Sequence, residues 1–146
     1  MQLFQINSML LSLISTTRKV LDKVEIESVL IPTIQGEIQV LPHHLPVLGV
    51  TKPGILKVVR TGTKEPDTYA LGSGIYEVDS DGIRIIADMV VNSEEVNTDS
   101  VQKKKEEAQK FMEQAHKDGL YNTNEYLRAQ EEYLKQTAME QLAKKN

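Results

Sequence analysis

Between residues 9 and 91 apolar and polar positions alternate in short runs. Leu11 and Leu13 flank Ser12, Val24-Glu-Ile-Glu-Ser-Val29 alternates along its length, and Glu37-Ile-Gln-Val-Leu41 repeats the device. Period two is the mark of a strand with one buried face. Leu10–Ile14, Ile55–Arg60, Thr68–Leu71, Ile75–Val78 and Ile83–Ala87 add further strands. Thr61-Gly-Thr-Lys-Glu-Pro66 reads as a turn, Gly72-Ser-Gly74 as a break, and Asp81-Gly82 as a tight primed hairpin turn. Many short strands at regular spacing predict a β-sandwich or flattened barrel.

Beyond Asn92 the period changes. Ser93–Asp99 is polar and acidic and reads as a linker. Val101, Ala108 and Ala115 then recur at sevens, with Phe111 and Met112 nearby and Lys and Glu elsewhere, which predicts an amphipathic helix. Asp99 and Gln102 have capping-box spacing, and Gly119 is placed to end the helix in a left-handed cap. Asn122 and Glu125 offer a second capping box. Tyr126, Leu127, Ala129, Tyr133, Leu134, Ala138 and Leu142 line a second helix. The short connection predicts an antiparallel hairpin. The chain therefore divides into a β domain, residues 1–92, and a helical hairpin, residues 93–146. The hairpin's stripes are thin and rich in Ala, so they bury little area. A hairpin of this kind depends on docking to the β domain or to a partner.

The 146 residues suffice for a real core, and a formal net charge of -4 gives no bulk attraction to nucleic acid. No cysteine is present, which excludes disulfides, thiolate metal sites and cysteine nucleophiles. The apolar start, Met1–Ile14, has no preceding Lys or Arg and is interrupted by Gln2, Gln5, Asn7 and Ser8. It lacks the pattern of a signal peptide and is too short to span a bilayer. The chain is expected to stay on the side of the membrane where it is made.

Candidate chemistry is sparse. His43 and His44 are adjacent, and neighbours on an extended chain point to opposite faces, so they do not share one metal ion. His116 lies in the helical half. Gly72-Ser-Gly74 is too short for a phosphate loop, and Asp79-Ser-Asp-Gly82 lacks the later ligands of a calcium loop. Lys103-Lys-Lys105 runs straight into Glu106 and Glu107, a solvated helix face rather than a nucleic-acid patch. Pro42 and Pro46 instead bracket His43-His44-Leu45 and stiffen it, and a stiff loop loses little entropy on docking. His44 and Leu45 are thus candidate interface residues. Two rivals stand beside this reading: a free-standing β-sandwich adaptor that grips a protein with its hairpin, and an enzyme with an unrecognised carboxylate pair.

The run Ile31-Pro-Thr-x-x-Gly-Glu-Ile-x-Val-Leu-Pro-x-His-x-Pro-Val-Leu48 resembles the signature of the ε subunit family of F-type ATP synthases, the mitochondrial δ subunit. Lys52-Pro-Gly-Ile-Leu56, Leu71-x-x-Gly-Ile-x-Glu-Val78 and Ile83–Asp88 match its later blocks. The resemblance covers nearly the whole chain after about residue 8. It implies a non-catalytic rotor subunit of the central stalk, seated between the γ subunit and the c ring, which couples ion-driven rotation to ATP synthesis. In a bacterium that position is the cytoplasmic face of the cell membrane, held there only through the complex. By matching position, Glu37 would face the c ring, and His44, with Leu45 beside it, and Ser15 would face γ. The hairpin would either fold against the sandwich or extend into the catalytic head and restrain ATP hydrolysis. Arg128, Lys135, Lys144 and Lys145 would then approach the α and β subunits.

Three departures accompany the resemblance. His43 stands where the family usually has a small residue or Asn, often Gly. Gln39 replaces a usual Gly. Val96-Asn97-Thr98-Asp99-Ser100-Val101 lacks the Ile/Leu-Asp-x-x-Arg-Ala run through which some members bind ATP, so neither ATP binding nor any cofactor is expected.

Overall fold

The computed structural model describes residues 8–144. Nine strands come first: β1 (Met9–Ser15), β2 (Lys19–Thr33), β3 (Gly36–Val40), β4 (Val47–Thr51), β5 (Gly54–Arg60), β6 (Asp67–Leu71), β7 (Gly74–Asp79), β8 (Gly82–Ala87) and β9 (Val90–Asn92). A single 3₁₀ turn, Ser93–Glu95, leads to helices α1 (Thr98–Lys117) and α2 (Asn124–Lys144). The strands form one hydrogen-bonded sheet in the order β1-β8-β7-β4-β2-β5-β6-β9, with β3 on β2 and a further β1–β2 pairing. β1 runs parallel to β8; every other pairing is antiparallel.

The alternation in the sequence is the alternation of the pleat. Leu11 and Leu13 of β1, Leu56 and Val58 of β5, Tyr76 and Val78 of β7 and Ile83 and Ile85 of β8 all point into one core, with Ile26, Val29 and Ile31 of β2. β2 is a single strand of 15 residues, where the pattern marked only its middle. It can be so long because it bends: its pairing with β1 shifts register, and Lys23 takes a φ of +49° at the irregularity. β4 and β9 were not separable from the pattern, since β4 is read as part of the proline-bracketed loop and β9 has only three residues.

The β7–β8 hairpin forms where Asp81-Gly82 marks it, by a different device. Only Gly82 has positive φ, at +137°; Asp81 does not, so the turn is not the primed type that needs both. The Asp79 carboxylate instead accepts from the amides of Asp81 and Gly82, at 2.8 and 3.2 Å.

The helix ends also shift. Asn97, not Asp99, caps α1, its side chain accepting from the Ser100 amide at 3.1 Å. Thr123, not Asn122, caps α2, accepting from the Tyr126 amide at 3.2 Å. At the far end of α1, Leu120 donates to the Ala115 carbonyl and Gly119 to that of His116, with Gly119 at φ +71°, a Schellman cap. Ser93–Asp99 is not slack linker, because Asn92 and Glu95 close a capping box around the 3₁₀ turn.

Val101, Ala108 and Ala115 are buried as their spacing predicts. Phe111, Leu127 and Leu134 are not: they stand 46%, 53% and 43% exposed. For Leu127 the reason is that the described contacts of α2 with the sheet come from its C-terminal half. There Ala138 and Leu142 join Ala70, flanked by Ile55, Met89, Val91, Val96 and Met139, in a second small core. The hairpin is docked on the outer face of β5 and β6.

Candidate functional site

With α2 covering β5 and β6, the opposite side of the sandwich is left bare by the described residues. Its outer surface is made by β4, β7, β8 and β1. The pairings Val50↔Ile75, Ile75↔Ile86 and Ile14↔Ile86 set four apolar side chains in one line across four strands. Val50, Ile75 and Ile86 are 45%, 49% and 37% exposed. The next line out is Leu48, Glu77, Arg84 and Ser12, an apolar residue followed by an opposite-charge pair. Beyond it lies Leu10, also exposed. An apolar strip with a charged rim is the usual form of a protein-binding surface.

The proline-bracketed corner closes one end of this face. The His44 amide donates to the Leu41 carbonyl at 3.2 Å, closing a turn with Pro42 second and His43 third. His43 has a φ of +67°. That is a type II turn, whose third position favours Gly. The structure thus accounts for the small residue expected there: His43 occupies a backbone conformation built for glycine. His44 Nδ1 donates to the Leu45 carbonyl at 2.7 Å, and the residue is exposed. Leu45 is the most exposed large apolar residue among those described, at 80%. Corner, β1 and the β7–β8 hairpin together enclose a groove of about 580 Å³ that includes Leu10, His43, His44, Asp79 and Asp81.

Ser15 lies elsewhere. It ends β1, which begins at Met9 beside the groove, so the two sites are roughly 20 Å apart at ~3.3 Å per residue. It is 9% exposed, and its hydroxyl accepts from the Thr17 and Arg18 amides. Glu37 is exposed on the β2–β3 hairpin, opposite Pro32. That hairpin is tied to the end of β4 by the Ile34 amide on the Val50 carbonyl, and Ile34 is 66% exposed. The corner and the hairpin that carries Glu37 therefore lie at opposite ends of β4.

On the hairpin, Arg128 is exposed, with no ion pair among the described residues. Lys135 is engaged with Asp88 at 2.7 Å, fastening α2 to the sandwich. Lys144 and Lys105 both bind Glu140, at 3.2 Å. The Lys105 ammonium, seconded by that of Lys144, holds the Glu140 carboxyl below the usual carboxylate range. Lys145 lies outside the described residues.

The sequence alone missed Val50, Ile75 and Ile86 as surface residues. Each sits in a strand whose alternation was legible, but which side of the sandwich would be covered was not. Among the described residues no group of three His, Cys, Asp or Glu side chains is placed to hold a metal ion. No described helix is long and apolar enough to cross a membrane.

Residues 8–93 match the family described as ATP synthase, Delta/Epsilon chain, beta-sandwich domain. An ATP synthase epsilon chain of Herpetosiphon aurantiacus is 31% identical over 134 residues, 92% of this chain and 93% of that one. Another from Neisseria meningitidis serogroup C is 31% identical over 94 residues, 64% of this chain and 67% of the relative. Matches to the Neisseria chains thus span about two thirds of their length. The fold is also that of a chain in the Euglena gracilis mitochondrial ATP synthase OSCP/F1/c-ring structure. The TM-score is 0.76 at 21% identity, over 97% of this chain and 84% of that one.

Proposed function

The chain belongs to the ATP synthase delta/epsilon family, and from that premise we propose that it works as the ε subunit of the central stalk, with no catalysis of its own. Residues 1–92 form the part that joins γ to the c ring, and residues 93–146 form a regulatory hairpin. The bare apolar strip is the observation that carries this reading. A sheet face lined by Val50, Ile75, Ile86 and Ile14 and left open to water gains free energy only when another surface covers it.

γ sits along this strip and on the corner, against His44 and Leu45, whose exposed imidazole and leucine side chain offer one polar and one apolar contact. At the far end of the strip γ comes near the turn that Ser15 organises. Glu37, on the hairpin at the other end of β4, meets the polar loops of the c ring. Rotation then passes through a stiff β body gripped at two ends. In the docked state described here the hairpin is folded away; extended, it would bring Arg128, Lys144 and Lys145 toward the α and β subunits, and Lys135 once it leaves Asp88. No cofactor takes part, and without the Asp and Arg of the ATP motif near Val96–Val101 the chain does not bind ATP. It is a peripheral subunit, at the cytoplasmic face of the cell membrane in a bacterium.

Ile75→Lys together with Ile86→Glu tests the reading. Both side chains point to solvent, so the sandwich should still fold by circular dichroism. Co-purification with γ and the c ring should be lost. A doubly substituted chain that still assembles at wild-type stoichiometry removes the proposal.

A further inference from the structure

The segment joining sandwich to hairpin is fastened at one point by a distant charge. Glu95 closes the capping box, its amide donating to Asn92 Oδ1 at 3.1 Å and its Oε1 accepting from the Asn92 amide at 3.3 Å. The same carboxylate takes two bonds from Arg18 Nη2, at 2.6 and 2.8 Å. Arg18 belongs to the β1–β2 turn, which is wound around the Ser15 hydroxyl and so presents the guanidinium from a fixed base. On the other side of the pair the chain enters the docked region at once. Val96 packs in the small core with Ala138 and Leu142, and Asn97 caps α1.

We propose that the Arg18–Glu95 pair is a clasp that positions the hinge of the hairpin and couples the docked state to occupation of the bare face. Ile14, the last member of the apolar line, immediately precedes the turn that carries Arg18. A partner laid along the line reaches that turn, and an acidic group on it competes with Glu95 for the guanidinium. Freed of Arg18, Glu95 no longer anchors the hinge, and docking weakens. Coupling of this kind is reciprocal: the partner loosens the hairpin by the factor by which an undocked hairpin tightens the partner. For a pair as exposed as this one the factor is about two- to five-fold. The clasp itself is independent of the proposed function; the coupling rests on γ being the partner of the bare face.

Hydrogen exchange of the full chain separates the two. Glu95→Gln keeps the capping box, since Gln serves that position as well as Glu, and removes only the charge. Arg18→Gln removes the cation. Each should speed exchange of the amides of Val96–Val101 about two- to five-fold. The double variant should be no faster than either single, because both remove one interaction. Wild-type exchange in the single variants, or effects that multiply in the double, overturns the clasp. Adding γ should speed the same amides in the wild type and leave Glu95→Gln unchanged. Binding of γ without that change overturns the coupling and leaves the clasp; absence of binding removes the coupling together with the proposed function.

Discussion

His43 holds a left-handed backbone at the third position of a turn that Pro42 begins. For a residue with a Cβ that conformation costs about 1–2 kcal/mol. Its side chain is exposed and repays none of this through burial. His43→Gly should therefore stabilise the protein by about 0.5–1 kcal/mol, after allowing for the greater freedom of Gly in the unfolded chain. Thermal unfolding should show a midpoint raised by a few degrees. A lowered midpoint would mean that the imidazole makes a contact worth more than the strain. The turn itself was legible, because two prolines bracket it. Its type was hidden, because His favours positive φ far less than the Gly that would have announced it. Ser15 teaches the converse: a serine before Thr-Thr-Arg reads as a surface residue, yet a polar side chain that can fold its own turn is as often buried by doing so.

At the scale of elements, the two helices meet along a seam of Val101, Ala108 and Ala115 that small side chains keep close but thin. A polar tie supplements it. Lys105 of α1 reaches both oxygens of Glu140 on α2 at 3.2 Å, and lies 5.5 Å from the centre of the Tyr133 ring. Because the folded-state value of Glu140 is depressed, its contribution is fully present above the unfolded glutamate value of about 4.3. It is lost as pH falls through the folded value. From pH 7 to 5 the hairpin should not change; below about pH 4 its helices should loosen. Protection of α1 amides near Lys105, taken relative to the intrinsic exchange rate at each pH, should fall there in the wild type, and Glu140→Gln should show the lower protection at neutral pH already, with little further change on acidification. Equal acid sensitivity in both proteins would assign the loosening to other carboxylates. The helices were legible from their period. Their exact starts were not, because Asn97 and Thr123 compete with Asp99 and Asn122 as caps, and tertiary docking decides between near-equal candidates.

At the scale of the whole molecule, the sandwich has one face covered by its own hairpin and one face that no described residue covers. The cover is slight, since among the described residues the second core has only Ala70, Ala138 and Leu142 buried. The Lys135–Asp88 pair adds little more, being partly exposed. Leu142→Ala removes most of the apolar burial there, at a cost of about 2–5 kcal/mol. The hairpin should come away while the sandwich stays folded, because among the described residues the main core contains no helical one. Exchange should rise ten-fold or more in α2 and stay slow in β5 and β7. Global unfolding at the same denaturant midpoint for both halves would instead show one cooperative unit. The two-part plan could be read from the change of period at Asn92. The side to which the hairpin docks could not: both faces carry outward apolar residues, Ile55 on one and Ile75 on the other, and no periodicity tells which will be covered.

The parallel pairing of β1 with β8 carries a consequence for how the chain is made. Leu11–Ser15 find their neighbours only at Ile83–Ala87, some seventy residues later. A contact so far apart in sequence closes late and slowly. During synthesis the nascent chain can pair β1 with β2 early, but the bare face does not exist until β8 has emerged to complete it. An immature chain therefore lacks the complete apolar line. Under the proposed function, the surface for γ is complete only once the first strand has met the eighth, so assembly would wait on completion of the β domain.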